Sequence, residues 1–153
     1  MSNYIMHLRK FVGHQTLIQC GAGVIIVNNA GEILLGRRAD NQLWGYFGGS
    51  VEIDEKVEDC AKRELLEETG LVAEKLSFFS VNSGEKTHYV YPNGDEVSNI
   101  EILYLCTDYH GEPKAQKEEF EELKFFKPSE IDIEMISPPL RAVIRKYQIE
   151  IQG

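Results

Sequence analysis

The stretch that most constrains this chain is residues 48–70, GGSVEIDEKVEDCAKRELLEETG. Val57, Ala61 and Leu65 recur at four-residue spacing, which makes one apolar stripe of an α-helix, and Gly70 follows as its C-terminal cap. Gly48 and Gly49 lie where the chain leaves an extended segment, and glycine there permits close approaches that a side chain forbids. Between Glu52 and Glu68 there are eight acidic side chains against only Lys56, Lys62 and Arg63. At about 100° per residue Glu64, Glu67 and Glu68 fall at about 0°, −60° and +40° around the helix axis, so three carboxylates share one sector. Like charges at this spacing destabilise a bare helix by about 0.2–0.5 kcal/mol each. Acids in the last turn also oppose the helix dipole. A hard divalent cation reverses that balance, because Mg²⁺ takes oxygen ligands, keeps several waters and commonly binds through one or two carboxylates plus phosphate oxygens. The plainer alternative is a solvated acidic helix face.

The flanks alternate strand and helix signals. GAGVIIVNNAGEILLGRR carries two β-rich runs around Asn28–Gly31, a hairpin signal. LSFFSVNS, THYVYPNGDEV and IEILYLCTDYHG read as further strands, with Tyr91 to Asp95 as turn chemistry. LRAVIRKYQIEI follows Pro138 and Pro139 and places Leu140, Ile144 and Tyr147 on one helical face, so a C-terminal helix is expected over about 138–149. Residues 1–17 form a lead-in, helical or extended. The absence of repeats and linkers points to a single α/β domain over 1–153, with one mixed sheet between helices.

Composition narrows the function classes. With 42% hydrophobic and 27% charged residues the chain is of the soluble globular type. A formal charge of −9 argues against a nucleic-acid polymer or an anionic membrane as partner, since both call for clustered Lys and Arg. No apolar run reaches a membrane span, and MSNYIMHLRKFVGHQ lacks a signal-peptide core, so a cytoplasmic location is expected. Cys20, Cys60 and Cys106 are widely spaced in apolar stretches and read as buried small side chains. His7, His14, His88 and His110 show no ligand spacing.

From Gly49 the sequence runs five residues to Glu55, seven to Arg63, Glu64 and Leu65, one to Glu67 and Glu68, and one to Gly70 and Leu71. This resembles, at nine positions across 23 residues, the signature box of the Nudix hydrolases, which cleave nucleoside diphosphates linked to another moiety. NQLWGYFGGSVE is similar to the family's approach to the box, and EEFEELKFF to its later acidic element, an alignment that selects Glu119, with Glu118 next. The resemblance covers about residues 18 to 147 and implies an α/β/α sandwich with the box as loop–helix–loop.

Residue roles follow as what the resemblance implies. Glu64, Glu67 and Glu68 would bind Mg²⁺ or Mn²⁺, with Glu52 and Glu55 as further acids, and the metal would polarise a phosphoryl oxygen and activate water. Arg63, about 100° around the helix from Glu64, would orient a box glutamate through a salt bridge, and Glu55 would hold Arg63 or reach the metal. Glu67, Glu68 and Glu119 compete as general base. Two positions depart from the usual pattern: Phe47 stands where many relatives have Pro, and Asp54 where many have Gly, although Asp tolerates positive φ. Arg37 and Arg38 at a strand end are candidates for a terminal phosphate. Gly48 and Gly49 would border the substrate, and Trp44, Tyr46 and Phe47 are candidates to stack on a base or to fill the core.

The expected activity is hydrolysis of a nucleotide sugar such as ADP-ribose, or of a nucleoside triphosphate including oxidised forms. A nucleotide sensor without catalysis is the alternative from another class. Diphosphate isomerisation would require a paired catalytic cysteine and glutamate, whereas Cys60 sits on the box helix. Many relatives dimerise, so a homodimer is compatible with the resemblance.

Overall fold

The computed structural model describes residues 3–116 and 118–152. In chain order the elements are α1 (Asn3–Val12), β1 (Leu17–Ile26), β2 (Ile33–Arg38), β3 (Trp44–Gly45), β4 (Phe47–Ser50), α2 (Val57–Thr69), β5 (Val72–Asn82), β6 (His88–Val90), β7 (Glu96–His110), β8 (Phe120–Phe126) and α3 (Arg141–Gln152), with single 3₁₀ turns between some of them.

The larger sheet has the order β4-β1-β7-β5, with β6 paired to the start of β7. It is mixed, since β1 and β7 run parallel while the β1–β4 and β5–β7 pairs are antiparallel. Alternation along β1 builds two cores. Ala22, Val24 and Ile26 pack with Cys60, Ala61 and Leu65 of α2, whereas Ile25 packs with Val143, Ile144 and Tyr147 of α3. Helices therefore flank the mixed sheet, as the α/β/α sandwich requires.

A smaller sheet, β3-β2-β8, adds a feature absent from the one-sheet expectation. The Asn28–Gly31 turn forms, with Asn28 Oδ1 accepting from the N–H of Ala30 and Glu32 and Gly31 at φ +77°. Its arms pair at the Val27–Ile33 bridge and through Asn28 N–H to the Glu32 carbonyl, then diverge into separate sheets, because β4 and β7 occupy both edges of β1.

Within the lead-in Asn3–Val12 is helical, residues 1 and 2 lie outside the described residues, and Arg9 ties the helix end to the sheet by donating to the carbonyls of Gly13, Gln15 and Glu96. The C-terminal helix begins at Arg141, after a 3₁₀ turn over Pro138–Leu140, and runs to Gln152. Cys60 and Cys106 are buried, but Cys20 is exposed. Its exposure corrects the expectation of three buried thiols: the first four residues of β1 alternate half-buried and exposed, and full burial starts only at Gly21.

Phe47 has a packing role. It is fully buried and meets Phe120 edge-on, with ring centroids 5.2 Å apart. The two rings fill the seam between the sheets over Gly36, where an added Cβ would lie 2.5 Å from Phe120 Cδ1 and 3.0 Å from Phe47 Cε1. Gly36→Ala is expected to lower the unfolding free energy by about 1–3 kcal/mol through overpacking, measured by urea denaturation.

Candidate functional site

The loop entering α2 turns at Asp54, whose φ of +64° is the conformation its side chain tolerates better than most. That turn delivers Glu55 to Arg63. Arg63 Nε donates to Glu55 Oε2 at 2.8 Å and Nη2 to Glu55 Oε1 at 2.9 Å, a two-pronged charge-assisted pair. Hydrogen bonds from Arg63 hold the Glu55 carboxyl down to about 2. The guanidinium also donates to Glu64 Oε1 at 2.9 Å and to the Ser50 carbonyl at 3.2 Å, and lies 3.5 Å from Glu67 Oε2. Both Glu55 oxygens thus serve Arg63, while Glu52 is half-buried in the same loop and gives its N–H to Glu55 Oε1.

Glu64 and Glu68, one turn apart, are buried against the sheet, whereas the Glu67 side chain is about half exposed. Glycine makes this possible. A Cβ on Gly49 would sit 2.4 Å from the Glu64 carboxyl carbon, and one on Gly48 would sit 2.6 Å from the Ala22 carbonyl oxygen. Gly48 N–H donates to Glu68 Oε1 at 2.9 Å. Burial raises the Glu64 carboxyl against the pull of Arg63. Burial also pushes Glu68 well above the usual carboxylate range, followed by its hydrogen bond to Glu119 and the nearby charges of Glu119 and Glu64, with Gly48 N–H acting in the opposite sense.

Glu119 arrives there because the last carbonyls of a helix need donors. Gln116 N–H bonds the Glu68 carbonyl at 3.3 Å and Lys114 N–H the Thr69 carbonyl at 2.8 Å, which lays residues 114–116 across the end of α2. Glu67, Glu68, Gln116, Glu118 and Glu119 then line one recess.

Among the described residues no group of three or more His, Cys, Asp or Glu is close enough together to hold a metal ion by itself. The donor set nevertheless suits a hard cation. It is all oxygen, and Glu68 is buried against a second carboxylate, a contact that a dication would relieve. Glu64, Glu67 and Glu68 are the side chains that would hold such a cation.

On the other side of Gly48 and Gly49 lies a cleft of about 140 Å³, lined also by Gln19, Gly21, Arg38, Tyr46, Tyr89, Tyr91, Asn99 and Glu101. Of the two strand-end arginines only Arg38 reaches it, fixed there by both oxygens of Asp40 at 3.0 Å. Arg37 instead pairs with Glu121 and Glu122 and lies over the Trp44 ring. Trp44 packs edge-on against Phe126 in the second core, outside the cleft lining.

Glu101 is the functional candidate that sequence reading missed. Its position inside an otherwise apolar strand run, IEILYL, was the available signal. Tyr46 O–H donates to Glu101 Oε2 at 3.4 Å, and burial pushes this carboxyl up to about 7 while Tyr46 and Arg38 pull it down.

The profile of the NUDIX domain family matches residues 18–147. Nucleoside triphosphatase NudI of Escherichia fergusonii is 30% identical over 115 residues, 69% of this chain and 80% of that protein. RNA pyrophosphohydrolase of Pseudomonas fluorescens is 37% identical over 62 residues, so the match spans only 39% of that relative's length. The MutT NUDIX hydrolase of Burkholderia pseudomallei superposes with a TM-score of 0.71 at 26% identity, over 85% of this chain and 98% of that one. The E. coli ORF135 protein shares the fold, with a TM-score of 0.69 at 24% identity, over 90% and 93% of the two chains.

Two outcomes are expected. Arg63→Lys keeps the charge but loses the fork that orients Glu55 and Glu64, so Mn²⁺ affinity read by electron paramagnetic resonance should fall about 10–100-fold. The second concerns Glu101, faced by Tyr46, Arg38 and Tyr91. Its folded value of about 7 exceeds the unfolded 4.5, so the stability it contributes is complete below pH 4.5 and lost as pH rises through 7. Unfolding free energy of the wild type relative to Glu101→Gln should therefore fall by up to about 3 kcal/mol between acidic and mildly alkaline pH, and a flat difference in urea titrations would contradict the assignment.

Proposed function

The chain belongs to the Nudix hydrolase superfamily, and from that premise we propose that it is a metal-dependent pyrophosphohydrolase cleaving the phosphoric anhydride of a nucleoside diphosphate derivative. The substrate is a nucleotide sugar of the ADP-ribose type or a nucleoside triphosphate, oxidised forms included. The observation that carries this reading is the burial of Glu64 and Glu68, the latter beside Glu119, across Gly48–Gly49 from a cleft. A solvated acidic face would leave all three box glutamates in water. Here two of them are withdrawn from it at an electrostatic cost that a bound dication offsets.

When bound, Mg²⁺ or Mn²⁺ supplies Lewis-acid polarisation of a phosphoryl oxygen and lowers the pKa of water. The protein groups do the rest. Arg63 holds Glu64 in place and, through Glu55, ties the loop to α2. Gly48 N–H orients Glu68. The water oxygen forms a bond to phosphorus as the anhydride P–O bond breaks, and the water proton passes to one of the recess carboxylates, Glu67, Glu68 or Glu119. The net charge of −9 keeps other polyanions at a distance, which favours a small ligand brought in with its own cation. The relatives named for nucleoside triphosphate and RNA pyrophosphate chemistry favour the same bond type.

The test is turnover of ADP-ribose, other nucleotide sugars, dinucleoside polyphosphates and normal and oxidised nucleoside triphosphates, with products resolved by chromatography. Activity should require Mg²⁺ or Mn²⁺ and vanish on chelation. Glu67→Gln and Glu68→Gln should each lower kcat by about 10²–10⁴-fold. Tight nucleotide binding without turnover of any compound would instead identify a sensor and overturn this reading.

A further inference from the structure

The cleft beside the carboxylates has its own polar floor. Gln19 and Asn99 are register partners on β1 and β7, as are Gly21 and Glu101, so alternation directs all four to the same side of the sheet. Gly21 presents no side chain, which leaves Glu101 accessible: a Cβ there would come within 3.8 Å of Glu101 Cγ and 3.0 Å of the Gly49 carbonyl oxygen. The Tyr46 O–H lies toward one carboxylate oxygen, Oε2, at 3.4 Å. Tyr46 is itself hydrogen-bonded by Asn82, whose Nδ2 donates to the Pro139 carbonyl at 3.0 Å. Among the described residues no hydrogen bond engages Oε1. Oε1 is thus free and Oε2 keeps a lone pair beyond its long contact to Tyr46, so both oxygens of this carboxylate on the cleft floor can accept.

The cleft walls add a shape constraint. Tyr46, Tyr89 and Tyr91 line it, and the last two meet edge-on with ring centroids 4.9 Å apart, so a flat ring system is the fitting occupant. Its volume of about 140 Å³ is below the roughly 300–1,000 Å³ of whole-ligand sites, so it accepts one end of a ligand. The other end has a direction in which to go, because Gly48 and Gly49 border both the cleft and the buried carboxylates of Glu64 and Glu68.

We propose that Glu101 is the specificity-determining residue of this site, accepting two adjacent N–H donors from the planar, non-phosphate end of the substrate. The inference rests on the pyrophosphohydrolase reading for the placement of the phosphates. A carboxylate accepts two parallel N–H bonds from neighbouring nitrogens, as it does from a guanidinium. Among nucleobases, the 2-amino-6-oxopurine edge carries such a pair in its ring N–H and exocyclic amine. Removing the amine leaves one donor, and a 6-aminopurine ring presents a bare acceptor nitrogen beside its amine. The raised value of the free carboxyl, about 7, agrees with a group held for a ligand that supplies the missing donors.

Binding of guanosine, inosine and adenosine 5′-monophosphates, measured by calorimetry with Mg²⁺, tests this without any anhydride to cleave. Wild type should prefer the guanosine compound to the other two by about ten- to a hundredfold. Glu101→Gln should compress that ratio to within about threefold, because the carboxamide keeps only one acceptor oxygen and presents a donor where the second N–H would bind. Tyr46→Phe, which frees the carboxyl without removing it, should reduce the ratio partially and serves if Glu101→Gln fails to fold by circular dichroism. A ratio unchanged in the folded variants, an equal loss for all three ligands, or a wild type that binds the three alike or not at all overturns the proposal. Turnover of a diphosphate with an unchanged ratio sinks this inference alone. Altered selectivity without turnover sinks the hydrolase reading alone.

Discussion

The close approach of α2 to β4 is the constraint from which the site follows. Gly48 and Gly49 let the helix come so near that the Glu64 carboxyl occupies the volume a Cβ would need, and that Glu68 takes a backbone N–H from the strand. Were that spacing wider, both carboxylates would reach water and behave as ordinary surface acids. Arg63 then compensates from the same helix, spending its fork on Glu55 and Glu64 and fastening to the Ser50 carbonyl. One cation cannot balance the whole set, and Glu68 with Glu119 is the remainder.

That imbalance has a stabilising counterpart in the apolar packing behind it. Cys60, Ala61 and Leu65 are fully buried on the face of α2 that meets β1, and Phe47 locks the smaller sheet onto the larger through Phe120. Each buried aliphatic or aromatic side chain contributes about 1.5–3 kcal/mol, more than the few tenths per pair that like charges cost on a helix. The hydrophobic face can therefore carry the acids in their unfavourable places, and the placement reflects geometry rather than helix stability.

Much of the acidic half of the site was legible because its signals are local. Helical period put Glu64, Glu67 and Glu68 together, Gly70 takes φ +77° as the cap, and Asp54 adopts the positive φ expected of a glycine substitute. Glu119 was reached by alignment with an aromatic position, and the helix-end hydrogen bonds supply the physical reason for its arrival. The cleft half was largely illegible because it depends on which strands become neighbours. Gln19 meets Asn99, and Gly21 meets Glu101, only once β1 pairs in parallel with β7 across 80 residues of chain. Neither residue belongs to a motif. Alternation along β2 would have separated Arg37 from Arg38, but which of the two faced the cleft depended on the second sheet, and Trp44 went to that sheet's core. The divergence of the β1–β2 arms had the same origin, competition for both edges of β1.

This division of origins bears on how such a site can vary. The acids, their arginine and their glycines lie within one short stretch, so a substitution there disturbs geometry shared by every member of the cluster. The cleft residues come from β1, β2, β4, β6 and β7 and the turn before α3, with few hydrogen bonds joining them to the acids. A change at Asn99, Glu101 or Tyr89 can alter what the cleft accepts while Gly48 N–H still holds Glu68 and Arg63 still holds Glu55. Gly48 and Gly49 border both regions, and Ser50 links them as well, its Oγ accepting from Gln19 and its carbonyl from Arg63. A ligand spanning both would pass the two glycines, so under the proposed hydrolysis the backbone there would set where along its length the bond to be broken comes to rest.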